Sequence, residues 1–116
     1  MHDYHDLEVV GRTRRLLPRV YEVTATYPAE ERYVLVSQTR RAAHSIGANL
    51  AEGAGRRTSG EFRQFVSQAA GSAFELEWHF TIAADLRYIT PSQRDAILTE
   101  IVIIKKLLYR FGETLK

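Results

Sequence analysis

The sequence predicts an all-α protein: an up-down-up-down antiparallel four-helix bundle built as one domain over residues 1–116. Three observations carry that expectation. Apolar residues recur at steps of three and four along most of the chain. Short breaks marked by glycine, proline and capping residues divide it into four long stretches, and short links favour antiparallel neighbours. No segment sustains the apolar–polar alternation of a half-buried strand.

The first helix is expected from about Asp3 to Thr26, with Leu7, Val10, Leu17, Val20, Tyr21 and Thr24 on one side. Pro18 lies inside it and should kink or weaken it, because proline lacks a backbone donor and clashes with the preceding turn. The stretch "TYPAEE" restarts the chain, with Pro28 near a helix start and Glu30 and Glu31 suited to a helix N-terminus. The second helix should then run to about Glu52 and stop at Gly53 and Gly55. The third opens at "TSGE", where Thr58 and Glu61 have the spacing of a capping box, and continues to about Tyr88. "TPSQ" repeats the device at Thr90, and the fourth helix should reach about Leu115. Phe62, Phe65, Ala69, Ala73, Leu76, Phe80 and Ala83 form the expected core stripe of the third helix. Ile97, Ile101, Ile104, Leu108, Phe111 and Leu115 form that of the fourth.

Composition narrows the function classes. The chain has no cysteine, which excludes disulfides and thiolate metal sites. Asp3, Asp6 and Glu8 stand where a secretory signal would need apolar residues, and "IVII" at 101–104 is far short of a membrane span. The expectation is a cytoplasmic protein with no membrane contact. Net charge is only +2, yet the surplus lies in residues 1–60, which carry nine arginines, no lysine and seven acids. Thirteen arginines against three lysines favour phosphate or carboxylate recognition by guanidinium forks.

The candidate sites are mostly polar stripes. Gln38, Arg41, Ser45, Asn49 and Glu52 fall on one flank of the second helix at about 100° per residue. Ser72 and Glu75, with Gln64, Gln68 and His79, form a comparable stripe on the third. Facing each other, the two stripes would make a buried hydrogen-bonded seam that fixes helix register. No cofactor and no metal are expected: the one Glu–His pair on a helix, Glu75 and His79, has a spacing of four where di-metal bundles use three. "GRRTSGE" has the glycine spacing of a phosphate loop, but Glu61 stands where lysine is required and no strand precedes it. Arg56 and Arg57 beside the third helix's N-terminus, with Arg40, are the candidate nucleic-acid or anion contacts. Finally, Phe74, Trp78 and Ile82 make a second apolar stripe on the third helix, away from its core stripe. A monomeric bundle needs one stripe per helix, so these three are the expected oligomer interface.

With those residues in view, the chain resembles the four-helix bundle family first noticed in intervening sequences of bacterial large-subunit ribosomal RNA genes. The resemblance rests on "YPAEERYVL", "SQTRRAAHSIGANLAEGAGR", "EFRQF" and "AAGSAFEL". It implies assembly into a ring of five. The family is also similar to accessory proteins of diversity-generating retroelements, whose basic pentameric barrels are associated with reverse transcriptase and nucleic acid. No catalytic residues come with the resemblance. The expectation is therefore a non-enzymatic oligomeric scaffold or adaptor that contacts RNA or a ribonucleoprotein through arginine. The alternative is a small-ligand binder or undiscovered enzyme using Glu52, Glu75 and their polar neighbours.

Overall fold

The computed structural model describes Tyr4 and residues 7–115. Among them there are four α-helices and no strand: α1 (Glu8–Thr24), α2 (Leu35–Ala54), α3 (Ser59–Asp85) and α4 (Pro91–Thr114). Each helix packs against its neighbours in sequence, and α4 closes against α1. The body measures 43 × 25 × 19 Å. No helix among the described residues is long and apolar enough to cross a membrane.

The core is the set of side chains that the three–four spacing selects. Ile46, Leu50, Leu76, Phe80, Ile101, Ile104 and Leu108 are fully buried. Within α1 the inward residues are Val9, Val10, Thr13, Leu16, Val20 and Thr24, so Leu16 is buried where Leu17 was expected to be, Leu17 is half-buried and Tyr21 is exposed. Small residues bring α2 and α3 together: Ala42, Ala43, Gly53 and Ala54 on one, Ala69, Ala73 and Ala83 on the other, all buried. The contact is closest at Gly53, where an added Cβ would stand 2.7 Å from Phe65 Cβ and 2.8 Å from Phe62 Cδ1.

The start of α2, the end of α3 at Asp85 rather than about Tyr88, and the effect of Pro18 differ from expectation. The chain after Pro28 makes only a 3₁₀ turn, Ala29–Glu31, and α2 begins at Leu35. Pro28 does start a turn, since its carbonyl accepts from Glu31 N at 2.9 Å. Tyr33 and Val34 are left exposed in the link. Pro18 does not interrupt α1, which is continuous across it. It sits on the exposed side, where the missing donor is closest to solvent.

The capping signals are better kept. Thr90 and Gln93 make both bonds of a capping box, at 2.8 and 3.1 Å. Thr58 accepts from Glu61 N at 3.1 Å, but its hydroxyl donates to Glu61 Oε1, so only half of the expected box forms. α3 ends in a Schellman motif: Arg87 N donates to Ala84 O and Tyr88 N to Ala83 O, with Arg87 at φ 63° in the left-handed region. Ion pairs then tie the helices along their rims. Arg12 reaches both carboxylate oxygens of Glu100 at 3.1–3.2 Å, and Lys105 reaches both of Glu77 at 3.1 Å.

Candidate functional site

The polar seam is corrected by the structure. Gln38, Arg41, Glu52 and Glu75 are exposed, and Ser45, Asn49 and Ser72 are only half-buried. The bonds that these residues make are local, between residues four apart in sequence. Asn49 Nδ2 donates to Ser45 O at 2.9 Å, Glu52 pairs with Arg56 at 3.5 Å, and Glu75 meets His79 Nε2 at 3.0 Å. The physical reason is the alanine-rich contact between α2 and α3: it closes the interface with apolar atoms and leaves the polar stripes on its flanks. His79 is the exception, a buried imidazole whose ring is held by Glu75 at the surface. Among the described residues no three His, Asp or Glu side chains converge on one point, and His2 and His5 lie outside them.

The arginines separate into held and unheld groups. Arg56 is engaged by Glu52 and lies 4.7 Å from the centre of the Phe65 ring. Arg57 is exposed in the turn before α3. Arg40 serves α1: its Nε donates to Thr24 Oγ1 at 2.9 Å and its Nη2 to Tyr21 O at 3.3 Å. It thereby supplies the positive charge at the C-terminus of α1 that the last turn of α1 lacks. Its guanidinium also stacks 4.4 Å over the Tyr21 ring.

Two surfaces stand out. On α3 and α4, Phe74 and Trp78 are 59% and 61% exposed, and Tyr109 is exposed beside them. Ile82, the third residue of that stripe, is half-buried. Lys105 lies 4.2 Å over the Phe74 ring, and an apolar hollow of about 460 Å³ opens between Phe74, Tyr109 and Ala70. Gly71 lies two turns before Trp78 on this face and has no side chain within 4 Å of where its Cβ would be.

The second surface belongs to α1, the link and α2. Tyr21, Arg32, Tyr33, Arg40, Arg41 and His44 line a shallow hollow of about 440 Å³. Sequence reasoning placed Arg40 among the anion contacts, Arg41 in the polar seam and Tyr21 on the inward side of the first helix, and did not bring them together. The available signal was the spacing of Arg40, Arg41 and His44 within one helical turn, next to a tyrosine-bearing link.

Near this region lies a half-buried tyrosine–carboxylate contact. Tyr88 donates its hydroxyl to Glu31 at 2.7 Å, which raises its pKa, and its ring packs 5.4 Å from that of Tyr27. The Tyr27 hydroxyl is buried with no hydrogen-bond partner, and burial pushes its pKa up to about 12.

Comparison with known proteins adds the relationship that geometry alone lacks. The family described as 23S rRNA-intervening sequence protein matches residues 5–110. A solved structure from Bacteroides thetaiotaomicron, a protein of unknown function from the S23 ribosomal protein family, superposes with a TM-score of 0.82 at 25% identity. The alignment covers 90% of this chain and 97% of that one. No protein with a curated description matches the chain significantly.

Proposed function

The chain belongs to the 23S rRNA-intervening sequence protein family, and from that premise we propose that it is a non-enzymatic scaffold of the cytoplasm. In this reading the four helices run up-down-up-down, five copies close into a ring, and the ring presents arginine to RNA or a ribonucleoprotein. The observation that carries the assembly is the exposed aromatic pair on α3. Leaving Phe74 and Trp78 largely in water forgoes part of the about 1.5–3 kcal/mol that full burial of a large side chain contributes, and no segment among the described residues covers them. Gly71 supports the same face. A glycine inside an exposed helix costs about 1 kcal/mol relative to alanine, and its open surroundings allow a second backbone to approach. The count of five comes from the family resemblance.

Sedimentation velocity tests the assembly. Wild type at micromolar concentration should sediment as a closed oligomer, and Trp78→Glu should sediment as a monomer that still melts cooperatively, at a lower temperature. A wild-type monomer under those conditions would refute the ring.

A further inference from the structure

The hollow between the C-terminal end of α1 and the first turns of α2 brings cationic side chains and exposed aromatic rings together. It is lined by Arg32, Arg40, Arg41 and His44 with two tyrosines, and no carboxylate lines it. A second hollow of about 310 Å³ shares Arg32, Val36 and Arg40 with it and is also free of acids. Five of the other cations contrast with this. Arg12, Arg56, Arg63, Arg94 and Lys105 each sit within 3.5 Å of a carboxylate, which spends their charge inside the molecule. Arg41 and His44 have no partner among the described residues, and Arg32 and Arg40 are engaged by aromatic rings, with Arg40 also on neutral oxygens.

The rings are as informative as the charges. Tyr33 is 82% exposed, held in the link by the 3₁₀ turn on one side and α2 on the other. Arg32 lies 5.5 Å from its centre, and Arg40 lies 4.4 Å from that of Tyr21. An exposed ring beside guanidinium groups that no carboxylate neutralises matches a ligand that alternates flat bases with phosphates. A duplex would offer phosphates but keep its bases stacked on each other. A single strand offers both.

We propose that this surface is a binding site for single-stranded nucleic acid, with Tyr33 and Tyr21 as stacking platforms and Arg32 and Arg41 as phosphate contacts. Arg40 acts as a positioning residue that fixes Tyr21 and the end of α1. The site deepens the RNA part of the proposed function and rests on it, but it moves the contact from the turn bearing Arg56 and Arg57 to the opposite end of α2. It does not depend on how many subunits assemble.

The test is fluorescence anisotropy with a labelled 20-nucleotide oligouridylate, the matching oligodeoxythymidylate and a blunt RNA duplex, over a range of salt. Each neutralised phosphate of a single strand contributes about −0.7 to the slope of log affinity against log salt. Wild type should prefer either single strand to the duplex. Arg32→Gln/Arg41→Gln should lower affinity and flatten the slope by about 1.4. Tyr33→Ala should weaken binding about tenfold with the slope unchanged, as loss of a stacking platform predicts. All three positions are exposed, and thermal melts of the variants confirm that they fold. Undiminished binding by both variants, or a preference for duplex, would overturn the site. Loss of binding in Arg56→Gln/Arg57→Gln with the new site's variants unaffected would overturn it while leaving RNA contact standing. No binding of any probe by wild type would overturn both the site and the RNA reading.

Discussion

Tyr27 carries a phenol that the fold buries without a partner, and the cost of that arrangement is measurable in two ways. Replacing it with phenylalanine removes the stranded hydroxyl while keeping the ring against Tyr88, so Tyr27→Phe should stabilise the protein by about 1 kcal/mol in urea unfolding. The pH dependence has a definite sign. Burial raises the folded pKa from 10.0 to about 12, so the folded state holds its proton where the unfolded state releases it. The resulting stability is fully present below pH ~10 and is lost as pH rises through the folded pKa. Wild type should lose roughly 2–3 kcal/mol across that window, and Tyr27→Phe should lack this component. Gly53 makes the opposite case, a residue whose absent side chain is required. Because Phe65 Cβ is fixed to the α3 backbone, a methyl at 2.7 Å forces the helices apart. Gly53→Ala should cost about 1–3 kcal/mol. Gly53 was expected to act as a helix stop, but α2 runs through it to Ala54 and its role is close approach.

At the scale of the elements, helix identity was legible because periodicity and caps agree. The inward residues of α3 and α4 follow the three–four rule almost throughout, with Phe65 and Phe111 half-buried at its edge. What was not legible was burial on the flanks. The stripe from Gln38 to Glu52 borders the apolar face of α2, and spacing alone does not say whether a neighbour reaches that border. Alanines at the contact set the helices close and narrow, which leaves the border in water. The link before α2 was equally hidden: Pro28 with Glu30 and Glu31 satisfies the rules for a helix start, yet the chain spends those residues on one tight turn. The Schellman motif of α3 was not read at all, because its left-handed residue is Arg87 where glycine is usual. Arg87→Gly should therefore stabilise the protein by about 0.5–1 kcal/mol through relief of that backbone strain, read as a rise in melting temperature. An unchanged or lower value would show that the arginine side chain contributes more than its backbone costs.

At the scale of the whole molecule, the bundle is closed within itself on one side and unfinished on another. The core stripes account for most of the fully buried large side chains among the described residues, Leu16 and Thr39 being exceptions, whereas the α3 face retains an aromatic pair in water. The basic hollow near α1 and the aromatic face on α3 lie on different helices. Trp78 is the protein's single tryptophan and stands at the centre of the face that the account covers with a second copy. Its emission is therefore a direct report on the claim. A dilution series from tens of micromolar to low nanomolar should move the emission maximum from the blue, characteristic of a buried indole, to the red of a hydrated one. The midpoint should coincide with the dissociation of the oligomer by mass. A maximum that stays red while the protein is demonstrably assembled would place the interface elsewhere and contradict the account.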